Sequence, residues 1–171
     1  MADAHFDRVE FPRDREHLVE ILCGDEWPFH GHSRLSPADV GEMSFATDGV
    51  ESFWVMDGGR RVGLVRLMDL DDIGSGCPLI DIRVASNHRR QGLGTEATRW
   101  AVDHLFTSHP ELHRIEANTR GDNVDMQAVL TRVGFALEGR LRQAWWSDDG
   151  HWYDTLVFGV LRDDWNAGRR R

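Results

Sequence analysis

The residues best placed to do chemistry are His88-Arg89-Arg90-Gln91-Gly92-Leu93-Gly94-Thr95. An apolar run, Leu79-Ile80-Asp81-Ile82-Arg83-Val84, comes before them, and an amphipathic helical pattern begins inside them, around Gln91. Two arginines and two glycines therefore fall where a strand hands over to a helix N-terminus. The first four N–H groups of a helix have no internal acceptor. The aligned peptide dipoles put about half a positive charge at that end. Glycines at 92 and 94 remove the side chains that would keep an anion off those N–H groups. Arg89 and Arg90 supply formal charge. The chemistry this arrangement favours is the holding of a diphosphate.

The elements that must position this segment are legible around it. His5 to Phe11 alternates weakly and reads as a first strand. Asp14 can cap a helix carrying Leu18, Ile21 and Leu22, and Ser36-Pro37-Ala38-Asp39 opens a second helix with serine, proline and acid in capping order. Residues 24–35 between them have no period and read as a loop. Phe53 to Met56 and Val62 to Leu70 are strands joined at Asp57-Gly58-Gly59, and Asp71 to Gly76 is a polar loop. After the glycines, Leu93, Ala97, Trp100, Ala101 and Leu105 repeat at helical spacing. Arg114 to Thr119 is a strand, and Met126, Val129, Leu130 and Val133 mark a helix stopped by Gly134. Two long strands, Phe135 to Trp145 and Trp152 to Leu161, flank the turn Ser147-Asp148-Asp149-Gly150. The order is mixed α/β, with antiparallel hairpins and helical crossovers in the second half.

Composition narrows the function classes. The 171 residues predict one domain over 1–165, with a basic tail at 166–171. A net charge of -9, from 20 arginines and no lysine against 29 acidic residues, argues against a nucleic-acid binder. No N-terminal run reads as a signal peptide and no apolar stretch reaches membrane length. With only Cys23 and Cys77, the expectation is a protein of the reducing cytoplasm, with no membrane partner. Cys23, His30 and His32 could be drawn as a zinc site, but a fourth ligand is missing, so no metal is expected. Gly92-x-Gly94-x-x-Ala97 also fits a relaxed dinucleotide fingerprint. That fingerprint turns straight off its strand, whereas Ala85 to Gln91 intervene here.

Arg89-x-x-Gly92-x-Gly94 resembles the (Gln/Arg)-x-x-Gly-x-(Gly/Ala) signature of the GNAT N-acetyltransferases. Asn123, Gly134 and Phe135 stand at that family's Asn-x10-Gly-Phe spacing, and the order of elements is similar over nearly the whole chain. Glu138-Gly139-x-Leu141-Arg142 and Trp152-Tyr153-Asp154 resemble the branch that contains ribosomal-protein-alanine acetyltransferases. The resemblance implies a GNAT fold: a mostly antiparallel, splayed sheet of about seven strands with about four helices. It implies a cytoplasmic transferase that moves the acetyl group of acetyl-CoA to a primary amine, on a protein N-terminus or a small molecule, by direct attack. It implies that the pantetheine arm pairs with the backbone of Ile82, Arg83 and Val84. Residues Arg89, Arg90, Gln91, Gly92, Leu93, Gly94 and Thr95 would hold the diphosphate. Asn123 is read either as a contact to the cofactor or as a helix cap. A homodimer is a family habit.

The sequence departs from that family at the proton-transfer positions. Relatives carry a tyrosine seven residues after the asparagine, or a serine three after it, where this chain has Leu130 and Met126. Those two residues give weight to an alternative, a non-catalytic acyl-CoA-binding or scaffolding module. For a general base the candidates are Glu116 and then Asp81, each with the alternative of an ion pair to arginine, such as Arg83 or Arg120. The loop Trp27-Pro28-Phe29-His30 is read as a wall of the acceptor site, where Trp27 and Phe29 desolvate an amine and His30 takes its proton, or else as core aromatics and a solvated histidine.

Overall fold

The computed structural model describes residues 4–74 and 77–169. Strand β1 (His5–Arg8) is shorter than its alternation suggested and leads to helix α1 (Arg15–Cys23). Asp14 does not cap α1. Its carboxylate accepts from the Glu10 N–H and Trp54 Nε1, each at 3.0 Å, and pairs with Arg61 at 3.2 Å. Three donors at once outcompete the one N–H that a cap would supply. Helix α2 (Pro37–Glu42) has the capping box its sequence requires: Ser36 Oγ accepts from the Asp39 N–H at 3.2 Å, and Asp39 accepts from the Ser36 N–H at 2.7 Å.

Strands β2 (Glu51–Asp57) and β3 (Arg60–Met68) form the expected hairpin, followed by a short 3-10 turn at Leu70–Asp72 and strand β4 (Leu79–Val84). Residues 75 and 76 of the expected polar loop lie outside the described residues, as do 1–3, 170 and 171. Helix α3 (Leu93–Ser108) crosses to strand β5 (Arg114–Arg120), and helix α4 (Val124–Val133) crosses to the hairpin of β6 (Ala136–Trp146) and β7 (Trp152–Leu161). The strands form one seven-stranded sheet in the order β1-β2-β3-β4-β5-β7-β6, antiparallel except where β4 runs parallel to β5.

Alternation along the central strands sorts apolar residues between two cores. Phe53 and Val55 of β2 and Val65 and Leu67 of β3 face Ala97, Ala101 and Leu105 of α3. Trp54, Met56 and Leu64 face the other way, onto Leu18 and Leu22 of α1 and Val40 of α2. Leu18 and Leu22 are fully buried, each contributing about 1.5–3 kcal/mol by leaving water.

A fifth helix, α5 (Arg162–Arg169), exceeds the four expected and runs through residues 166–169 of the predicted tail. It docks because Arg162 donates to the Phe106, His109 and Leu112 carbonyls at 3.0, 2.6 and 2.7 Å, which satisfies the end of α3. The Trp165 ring packs on Phe106, 5.2 Å between centroids. The contacts that fix α5 lie 50 to 56 residues upstream of Arg162, so nothing local to the helix signals them.

Candidate active site

The parallel strands β4 and β5 pair at one place, Leu79 with Glu116, and part beyond it. Ala85 N–H donates to Val62 O at 2.9 Å, so antiparallel alternation turns the N–H and C=O groups of Ile82 and Val84 away from β3 and into the gap. A cleft of about 540 Å³ opens there. One end is walled by Trp27, Pro28, Phe29 and His30, the other by the turn at Arg89 to Thr95 and by Asn123, Asp125, Met126 and Arg132 around α4.

The turn presents bare amides. Helix α3 begins at Leu93, two residues later than the pattern suggested, with Gly92 as an N-cap that offers no side chain. The first bond at this end is Glu96 N–H to Gly92 O, 3.0 Å. Among the described residues, the N–H groups of 90–95 have no protein acceptor. Gly92 has φ +93°, a left-handed geometry that disfavours any side chain, and beyond the adjoining residues and the helix's own backbone no atom lies within 4 Å of where a Cβ would stand on Gly92 or Gly94. Four arginines, Arg83, Arg89, Arg90 and Arg132, line the cleft beside one acid, Asp125, although Arg83 and Arg89 are paired from behind by Asp81 and Asp25 and Arg90 by Asp125.

Arg89 does not point its charge at that row of amides. Its Nε donates to Val84 O at 2.8 Å and its Nη2 to Glu26 O at 2.7 Å, with the guanidinium 5.4 Å over the Trp27 ring. Asp25 alongside accepts from the Ser86 N–H. Burial pushes the Asp25 carboxyl up, but the Ser86 and Glu26 N–H groups and Arg89 outweigh it and hold it below the usual carboxylate range. The loop that starts at Gly24 is therefore strapped to the turn before α3. Its far side meets the β6–β7 turn, where Ser33 N–H and Oγ donate to Asp148 at 2.9 and 2.6 Å.

The end walled by Trp27, Phe29 and His30 holds a charged row on the α1–α2 face of the sheet. Arg66 of β3 stands opposite Asp81 of β4 in register, and Arg83 follows two residues on. Asp81 Oδ2 is 3.4 Å from Arg66 and 3.3 Å from Arg83, and Asp81 Oδ1 is 3.0 Å from His30 Nε2. Burial by itself would raise the Asp81 carboxyl. His30, Arg83 and Arg66 override that and hold it well below the usual range. On the other side, Arg120 is stacked between Phe29 and Tyr153, 4.8 and 4.1 Å from their centroids, and bonds Asp122 at 2.7 Å.

The acetyltransferase (GNAT) domain profile matches residues 9–136, three quarters of the chain. The chain belongs to the GNAT acetyltransferase family. It is an acetyl-CoA-dependent acetyltransferase and resembles the ribosomal-protein branch of the family. YdaF of Bacillus subtilis (strain 168), provisionally named a ribosomal N-acetyltransferase, is 25% identical over 174 residues, covering 94% of this chain and 92% of YdaF. The fold superposes with TM-score 0.78 on RimJ of Mycobacterium smegmatis in complex with a CoA disulfide, 24% identical over 94% of this chain and 83% of RimJ. It superposes equally, at 0.78, on a spermidine N-acetyltransferase of Vibrio cholerae in complex with CoA and spermine, 19% identical over 95% and 98% of the two chains.

Within this GNAT fold the residues singled out in the sequence divide clearly. Ile82, Arg83, Val84, Arg89, Arg90, Gly92, Gly94, Thr95 and Asn123 line the cleft with Trp27, Phe29 and His30. Leu93 is a core residue, 1% exposed, and the Gln91 side chain bonds Asn87 O, so each offers the cleft only its N–H. Asn123 caps α4, accepting from Met126 N–H at 3.2 Å while its Nδ2 donates to Thr119 at 3.1 Å. Trp27 is both wall and core: it is 1% exposed, with Nε1 donating to Leu22 O at 2.8 Å. Met126 lines the cleft and Leu130 is buried in the core, so neither can move a proton. Glu116 is not brought to the cleft. It sits where β4 and β5 are still paired, held by Arg114 at 3.0 Å and by Asn118 at 3.3 Å. Asp81 is not among the lining residues and touches two that are, His30 and Arg83. Arg132 was missed, and a lone arginine on the polar face of a helix carries no signal that could have found it.

Proposed function

We propose that this acetyltransferase acylates a primary amine, a protein N-terminal α-amine or a small-molecule amine, by direct attack with no covalent enzyme intermediate. The row of unpartnered N–H groups at 90–95, opening into a cleft lined by four arginines, carries the reading. The residues fit coenzyme A in three ways. The bare amides and open glycines suit a diphosphate. Arg90 and Arg132 at the rim suit a further phosphate. The inward-turned groups of Ile82 and Val84 suit the amides of a pantetheine arm, bound as an added strand. When bound there, acetyl-CoA supplies an acetyl thioester at the β4 end of the cleft.

The chain's own groups then shape the reaction. Val84 O is already engaged by Arg89, which leaves the Val84 N–H free to polarise an acyl oxygen in the gap. Phe29 and Trp27 exclude water from the acceptor end, which favours the neutral amine. An α-amine, with ordinary pKa near ~8, is the easier acceptor; a lysine amine near ~10.4 needs more help. The similarity to YdaF and RimJ supports a protein N-terminus, and the similarity to the spermidine enzyme supports a small amine. A thiol-release screen of N-terminal peptides and small amines against acetyl-CoA tests the reading. Acetyl-CoA is expected to raise the melting temperature and NADH to leave it unchanged. Thiol release from no amine on the panel would overturn the proposal.

A further inference from the structure

Among the described residues, the groups that could meet a cation at the end walled by Trp27 and Phe29 are already engaged with one another. Resting on the acetyltransferase reading, we propose that this chain takes its acceptor as the neutral amine, with no side chain accepting the ammonium proton, and therefore selects weakly basic amines, the α-amine of a polypeptide above all, over lysyl side chains and polyamines.

The acids come first. Asp125 is the carboxylate that lines the cleft, and it stands at the opposite end, 3.9 Å from Arg90. Asp81 lies behind the lining, held by Arg66 from β3 and by Arg83 and His30. Asp25 accepts from the Ser86 N–H and is 3.8 Å from Arg89, and Asp122 is bound by Arg120. On the β6–β7 turn, Asp148 and Asp149 accept from Ser33 and from the Tyr153 hydroxyl. Glu26 pairs with Arg34, and Glu116 with Arg114. The His30 imidazole is closed at both nitrogens: Nε2 meets Asp81 Oδ1 at 3.0 Å and Nδ1 is buried. A base has to come within hydrogen-bond reach of the proton it takes, and neither atom does.

The rings and carbonyls are engaged as well. An open aromatic face attracts a cation. Here the chain's own guanidiniums take that place, Arg83 and Arg89 each 5.4 Å from the Trp27 centroid and Arg120 4.8 Å from that of Phe29. The carbonyls of Val84 and Glu26 both accept from Arg89. An ammonium ion entering this end would give up its water and gain no free carboxylate in exchange, a cost that a neutral amine avoids. The acceptor's own basicity then sets how much of it the cleft can use. At pH 7 an α-amine of pKa ~8 is about 9% neutral, whereas a lysyl amine of ~10.4 is only about 0.04% neutral. The acceptor loses its proton to bulk water before it binds. Its nitrogen lone pair forms the C–N bond at the thioester carbonyl carbon as the C–S bond breaks, the electron pair of that bond leaving on sulfur. One N–H proton passes to the sulfur, giving the amide and the thiol.

The test measures kcat/KM of the full chain from roughly pH 6 to 9.5 with an alanyl tripeptide, its trifluoroalanyl analogue, Nα-acetyl-lysine amide and spermidine. With the alanyl tripeptide kcat/KM should rise about tenfold per pH unit below ~8 and then level. Fluorine lowers the basicity of the amine with little change of size, so the rising limb should move down in pH by the difference between the two amines' measured pKa values. At pH 7 spermidine and the lysine amide should each be more than about tenfold poorer than the alanyl tripeptide. A rising limb fixed at one pH for both tripeptides would mark a base on the protein and overturn the proposal. A level or falling profile below about pH 8 with the alanyl tripeptide would overturn it too, as would spermidine or the lysine amide outpacing that tripeptide at pH 7, or an amine screen that finds only strongly basic acceptors. Thiol release from no amine at any pH would instead sink the acetyltransferase reading, a distinct outcome.

Discussion

Gly94→Leu separates the fold from the cofactor cleft. The residue is the second of α3 and, its own helix turn aside, nothing lies within 4 Å of its missing Cβ, so the new side chain projects into the open cleft. Replacing a helical glycine by a good helix former stabilises by up to about 0.5–1 kcal/mol. At roughly 2–4 °C per kcal/mol for a chain of this size, the melting temperature should hold or rise by a few degrees. The same side chain covers the N–H groups at the mouth of α3, which have no other acceptor. Denying a bound diphosphate two charge-assisted bonds, at about 1.5–3 kcal/mol each, removes about 3–6 kcal/mol. That is roughly a hundred- to ten-thousand-fold in Kd, at 1.4 kcal/mol for each factor of about ten. Calorimetric titration of coenzyme A into both proteins, with thermal melts of the same samples, reads both quantities. A variant that melts normally and binds coenzyme A within threefold of the parent would refute the placement of the diphosphate. A melting temperature lower by more than about 5 °C would refute the claim of open space.

Three further outcomes follow from the same contacts. Arg89→Gln unstraps the loop at Glu26 without touching the amide row, so the acceptor KM should rise about tenfold or more while coenzyme A Kd stays within about threefold; the reverse pattern would make Arg89 a phosphate ligand. The Asp81 carboxyl is lower in the folded than in the unfolded protein, so its stabilisation is full above the ordinary value near ~3.9 and is lost as pH falls through the folded value. Urea midpoints should therefore decline below about pH 4, and less steeply in Asp81→Asn; parallel declines in the two proteins would contradict this. Glu116→Gln removes a half-exposed ion pair to Arg114, worth at most about 1 kcal/mol, and should leave turnover within twofold; a large loss with an altered pH profile would restore Glu116 as a base.

The strand, the glycine turn and the helix start that line one half of the cleft were legible from residues 79–95 alone, because they are written in adjacent residues. The Ser36 capping box and the Gly134 helix stop, at φ +108°, were legible for the same reason. Asp14 and α5 were not. One is drawn off its helix by Trp54 and Arg61, the other is held by carbonyls at the end of α3, and all of these partners are distant in the chain.

What the sequence determined by itself is where bare, positively polarised amides would stand, since backbone geometry at a helix start depends on a handful of neighbouring residue types. What only the tertiary structure decided is which carboxylate and which imidazole meet at the end of the cleft walled by Trp27 and Phe29. Glu116 and Asp81 read alike as carboxylates on neighbouring strands. The β3–β4 register puts Arg66 across from Asp81, and the docked loop brings His30, 51 positions away in sequence, to 3.0 Å from it. Registers and loop docking are set by the packing of the whole sheet, and no local run of residues encodes that.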